Sequence, residues 1–144
     1  MSKFNYKFET VRKIKESLEK KAQKEVAEID LVIGKHKDEL QSIMVEEEEH
    51  RKKFSKNIRI SELKAQKGYL VTLEKKMQNV QLQIDALNVQ REKKVSELVQ
   101  KSKEHKIFDS LEEIYHDQFN EEEKRLDMVQ VNETATQRFV REKK

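Results

Sequence analysis

Two apolar stripes in this chain mirror each other about a point near residue 59, and few folds accommodate that arrangement. The first stripe reads Leu18, Ala22, Val26, Ile29, Ile33, Leu40, Ile43 and Phe54; the second reads Leu63, Leu70, Leu73, Met77, Ile84, Leu87, Val95 and Leu98. In two antiparallel helices the numbers of facing residues add to a near-constant sum. Phe54 with Leu63, Leu40 with Met77, Ile33 with Ile84 and Ala22 with Val95 add to 117, and Ile43 with Leu73, Ile29 with Leu87 and Leu18 with Leu98 add to 116. The expected fold is therefore all-α: a long antiparallel two-helix coiled-coil hairpin, zipped along one seam.

Composition supports that reading and excludes others. Of 144 residues, 41% are charged and 35% hydrophobic, with no proline, the profile of a long helix or coiled coil rather than of a broad enzyme core. The apolar residues recur at intervals of 3 and 4, which disorder would not require. Without cysteine there are no disulfides or thiolate metal sites, in keeping with a reducing compartment and a cytoplasmic location. No apolar run reaches the length of a membrane span, and residues 1–8 lack the apolar centre of a signal peptide. Lys and Arg outnumber Asp and Glu only by 31 to 28, a mixed balance that gives nucleic acid binding little support.

The pattern divides the chain into an aromatic leader (1–8), a first helix (9–54), a turn (55–61) and a second helix (62–140). In the first arm the seam runs through 26, 29, 33, 36, 40, 43, 47, 50 and 54, the heptad alternation of a left-handed supercoil, with His36, Glu47 and His50 as polar members. Gly34 weakens this arm by about 1 kcal/mol without ending it. Asn57 suits the left-handed conformation that ends a helix, and Ser61 suits the cap of the next. The arms are unequal, about 70 Å and about 115 Å long at the helical rise. The constant sum carries Phe8 to Phe108 and Tyr6 to Leu111, after which residues 112–140 are expected to overhang. There Tyr115, Phe119, Leu126, Val129 and Val140 recur on one face, and a stripe without an intramolecular partner is a docking candidate.

Residue types that could carry chemistry do not converge. His36 and His50 lie two heptads apart, about 21 Å along a helix, and no His-Glu-x-x-His motif occurs, so no metal or cofactor is expected. His50 is expected to face Gly68 and to use the room left there. Glu46, Glu47, Glu48 and Glu49 point around the whole circumference of a helix and cannot converge on one ion or one bond. Lys13, Lys15, Lys20, Lys21 and Lys24 are interleaved with Glu16, Glu19 and Glu25 at helical ion-pair spacing. With no phosphate loop and no nucleophile set, the chain reads as a non-enzyme. The leader places Phe4, Tyr6 and Phe8 at period 2, which suits an extended segment closing the open end of the hairpin or meeting a partner.

Those residues also resemble a known family. The leader Phe4-Asn5-Tyr6-Lys7-Phe8-Glu9-Thr10-Val11 is similar to the aromatic, basic N-terminal signature of the flagellar export protein FliJ family. Tyr69-Leu70-Val71-Thr72-Leu73-Glu74-Lys75 is similar to the opening of that family's second helix, and Arg91-Glu92-Lys93-Lys94 to its basic cluster. The resemblance covers essentially the whole chain. It implies a cytosolic component of the flagellar type III export machine, similar to the coiled-coil part of a rotary ATPase central stalk. Such a protein sits in the pore of the hexameric export ATPase, promotes its assembly and activity, engages the cytoplasmic domain of the transmembrane export gate and handles export chaperones. Carried over position by position, gate contact falls on Tyr69, Leu73, Lys76 and Val80. Lys76 and Val80 depart from the small residue and the histidine of the family pattern. Leu73 also lies in the seam opposite Ile43, so core and docking roles both stand, and Tyr69 is the better docking candidate. Contact with the ATPase would use the end where both termini meet: Phe4, Tyr6, Phe8, Tyr115, Phe119, Leu126 and Val129.

The expected protein is thus a monomeric, non-enzymatic stalk or adaptor, associated peripherally with the inner face of the cell membrane at the flagellar base and without membrane insertion. The alternative is a generic self-associating coiled-coil scaffold whose overhangs pair. An amphipathic membrane-surface helix is disfavoured because basic and acidic residues are mixed rather than one-sided.

Overall fold

The computed structural model describes residues 2–53 and 59–143. It consists of two long helices packed against each other, α1 (Glu9–Lys52) and α2 (Ile60–Glu142), with no strand among the described residues. The all-α hairpin expected from the mirrored stripes is the observed architecture. Glu9 in the first turn of α1 and His50, Arg51 and Lys52 in its last turn complement the helix dipole, as do Glu62 and Arg141 in α2. The Phe8 carbonyl accepts from the Arg12 N–H (2.8 Å) and the Arg59 carbonyl from the Leu63 N–H (2.9 Å), which places each of these residues at a helix start. Ser61 is therefore inside α2 rather than its cap. The expected helical end at Phe54 and the turn residues Ser55 to Ile58, Asn57 included, lie outside the described residues.

Two compact units are present, one comprising Lys20–Val99 and the other Met1–Glu19 with Gln100–Lys144. In the first, Ile43, Leu73, Val80 and Ile84 form the core, with Leu40 and Met77 packed against it. Ala22, Val26 and Ile33 are also buried. This is the register of the constant sum, which sets Ile43 opposite Leu73 and Leu40 opposite Met77. Every described α1 seam position from 26 to 50 is buried or half-buried, including the polar residues His36, Glu47 and His50. In α2 the shielded positions run 66, 70, 73, 77, 80, 84, 87, 91, alternating 4 and 3 apart without a break. Val80 fills the step between Met77 and Ile84. Leu63, expected opposite Phe54, is exposed. Ion pairs flank the seam: Arg91 with Asp30 at 2.5 Å, Lys94 with Glu25 at 3.3 Å, and Arg51 with Glu74 at 3.8 Å.

The second unit is held differently. Tyr6 is its one buried apolar residue among those described, and its seam is largely ionic. Arg12 donates to both Glu9 oxygens (2.6 and 3.1 Å) and lies within 3.7 Å of Asp109 and 3.5 Å of Glu112 across the helix pair. Lys15 meets Glu104 at 3.2 Å, and the His105 ring lies between Glu19 (2.6 Å) and Asp109 (3.3 Å).

Candidate functional site

Two surfaces were expected to carry function, and each lies within one unit. On the first, Tyr69, Leu73, Lys76 and Val80 recur at steps of 4, 3 and 4, a heptad stripe, so they share a side of α2. Leu73 is 0% exposed and Val80 5%, so both belong to the core, closed against α1. Tyr69 is 38% exposed and Lys76 is exposed. The Tyr69 ring tilts against the His50 imidazole at 4.6 Å between centroids, and its hydroxyl donates to Glu46. That hydrogen bond is the main reason its phenol is held above the usual tyrosine range. His50 thus packs against the Tyr69 ring. The glycine beside it is not what makes room, because a Cβ added at Gly68 would meet nothing within 4 Å.

The second surface is built around the leader. Residues 2–6 have no regular secondary structure; a turn in which the Glu9 N–H donates to the Tyr6 carbonyl (3.2 Å) leads into α1. The leader lies along α2. Phe4 packs edge-on to His116 (4.9 Å) and against Phe119 (5.5 Å), while Tyr6 and Phe8 both lie about 6 Å from Tyr115, at 6.0 and 6.1 Å. Phe8 also meets Phe108 at 6.0 Å, and Ser2 donates to Glu123. The buried Tyr6 hydroxyl donates to the Phe108 carbonyl at 2.7 Å. Burial, then the nearby Glu112 carboxylate, pushes this phenol up, so it remains a neutral donor.

Pairing Tyr6 with Leu111 by the constant sum assumed a helical rise on both sides. An extended leader advances about 3.3 Å per residue against 1.5 Å for the helix. The four steps from Ser2 to Tyr6, ahead of the turn, therefore span about 13 Å, matching the about 12 Å that α2 takes from Tyr115 to Glu123. Tyr115 and Phe119 accordingly have intramolecular partners. The stretch without them begins after Glu123 rather than after Glu112: from 124 to 143 every residue is exposed, Leu126 (49%) and Val129 (42%) included. Met128, Val131 and Phe139 are exposed there as well. Their spacing, legible in the sequence, puts them on a different side of the helix from Tyr115, Phe119, Leu126 and Val129.

The depression lined by Asp127, Val131, Ala135, Arg138 and Phe139 has a single helix for its wall. Among the described residues, no three or more acidic, histidine or cysteine side chains are grouped to hold a metal ion.

A family model described as Flagellar FliJ protein matches residues 4–144, nearly the whole chain. The chain belongs to the FliJ family. No curated protein and no solved structure is matched. As a FliJ family member the protein is a component of flagellar biogenesis and protein export, and it acts with components of the flagellar export apparatus. The family is one of non-enzymatic export components. Among the described residues, no helix of this FliJ family member is long and apolar enough to cross a membrane.

Proposed function

We infer that the protein is a non-enzymatic export stalk, inserted in the hexameric export ATPase ring and coupling it to the transmembrane export gate. The observation that carries this reading is the bare continuation of α2 from 124 to 142, exposed on every side and bearing Leu126, Val129 and Phe139. Exposed apolar residues on opposite sides of one helix suit a partner that encloses it, and a ring with a central pore can surround a single helix on all sides. The aromatic cluster of Phe4, Tyr6, Phe8, Tyr115 and Phe119 adjoins that stretch along α2 and supplies the remaining ATPase contacts. Gate contact uses Tyr69 and Lys76, with Leu73 and Val80 fixing the helix beneath them. Export chaperones are further cargo of this stalk, which works as a monomer at the inner face of the cell membrane.

The test is co-sedimentation with the export ATPase together with its hydrolysis rate. The intact chain should bind and raise the rate, and a chain ending at Glu123 should do neither. Absence of both effects with the intact chain refutes the reading. The same exposed stretch also suits pairing between two copies, and a stable dimer by light scattering at low micromolar concentration would favour a scaffold instead.

A further inference from the structure

We propose that the leader is a displaceable latch: it covers the aromatic face of α2 from Phe108 to Phe119, and the ATPase gains that face only when the leader swings out. This rests on the ATPase reading above and adds a gate to it. The leader's hold on α2 is local and thin. Its residues 2–6 contribute no helix or strand hydrogen bonds, and Tyr6 supplies the buried polar contact, hydroxyl to Phe108 carbonyl, at 2.7 Å. The rest is the Ser2 to Glu123 hydrogen bond and ring packing of Phe4, Tyr6 and Phe8 at 4.9 to 6.1 Å. Segments with few backbone hydrogen bonds open at far lower free energy than the fold as a whole. The turn at 6–9 supplies a hinge next to a helix that stays formed.

Geometry also gives the latch a reason to compete. Its described residues reach Glu123, after which the uncovered stretch begins, so it lies on the face that continues directly into the exposed residues. A partner advancing along α2 from Val129 towards Phe119 meets Ser2 at Glu123 and then Phe4. Opening would uncover Tyr115 and Phe119 and also release Phe4, Tyr6 and Phe8, so the rings of both strap and helix become available together. Binding that requires a minor open state is weakened by the fraction open, and anything that raises that fraction tightens it in proportion.

Tyr6→Phe removes the hydroxyl and keeps the ring. Losing one neutral hydrogen bond should raise the open fraction about fivefold. Trypsin cleavage of the free chain after Lys7 should quicken by about that factor, and the dissociation constant for the hexameric export ATPase should fall by about the same. The converse variant closes the latch. The chain has no cysteine of its own, so Ser2→Cys with Glu123→Cys can be joined by a short reducible thiol cross-linker. The cross-linked protein should bind the ATPase at least about tenfold more weakly, and reduction should restore binding. Equal affinity before and after reduction overturns the latch while leaving the stalk reading intact. Trypsin and binding values for Tyr6→Phe that match the original chain overturn it as well. Failure of the original chain to bind the ATPase at all refutes the stalk reading and the latch's role with it.

Discussion

Replacing Leu73 with alanine separates the two roles this residue could play. Its side chain is fully enclosed, packed with Ile43, Val80 and Ile84. Burial of a leucine contributes about 1.5 to 3 kcal/mol, and the cavity left by truncation brings the usual cost of Leu→Ala to about 2 to 5 kcal/mol. Two helices with solvent on their outer sides can close over a void more readily than a multilayered core. The expected loss is therefore in the lower part of that range, about 2 to 3 kcal/mol. For a chain of this length that corresponds to a fall in Tm of about 10 °C. Thermal unfolding followed by far-ultraviolet circular dichroism measures it, with exposed Leu82→Ala as the control, expected within about 0.5 kcal/mol of the original. Gate-domain binding by Leu73→Ala, measured well below its Tm, should change by less than about twofold, because the side chain offers a partner no surface. An unchanged Tm combined with lost gate binding would refute the assignment of Leu73 to the core and make it a docking residue.

Tyr69→Ala should do the reverse, weakening gate-domain binding in a pull-down while moving Tm little, since its ring is partly exposed and rests on His50 at the edge of the seam. Ending the chain at Glu123 should leave the melting of the remaining helices nearly unchanged while removing ATPase stimulation, because the deleted residues cover nothing within the described chain. Acid should destabilise the unit that contains Tyr6. Hydrogen bonding from Arg12 holds the Glu9 carboxyl below the usual range, and hydrogen bonding first from Lys15 and then from Gln100 does so for Glu104. A carboxylate depressed in the folded state contributes stability above its unfolded pKa and loses it as pH falls through the folded value. Tm should therefore decline below the ordinary carboxylate range, and Lys15→Ala should flatten that decline in a pH series.

What the sequence made legible was set by which element obeys which period. From Ala22 to Ile43 and from Leu73 to Val95 both partners are helices, so one rise applies to both and the constant sum holds. The polar members His36, Glu47 and His50 were placed correctly for the same reason: position in the heptad decided their burial, not their chemistry. Val80 escaped that logic although it lies at the expected interval between Met77 and Ile84, because the family pattern had assigned it to a docking surface. The leader escaped it for a physical reason, since an extended segment and a helix advance at different rates and no single sum can pair them. The signal that corrects this was present in the alternation of Phe4, Tyr6 and Phe8, which marks an extended segment. The Tyr69 and His50 contact could not be read from numbering at all, because it depends on a ring lying across the edge of the seam rather than in it.

The two units balance their forces differently, an apolar seam flanked by ion pairs in one and a net of carboxylates with Arg12 and Lys15 in the other, so dissolved salt acts on them unequally. Screening at high ionic strength loosens the charged net, whereas sulfate, excluded from protein surfaces, tightens apolar burial. Ionic composition therefore acts as a selector, able to soften the latch-bearing portion of the molecule while the remainder stays firm.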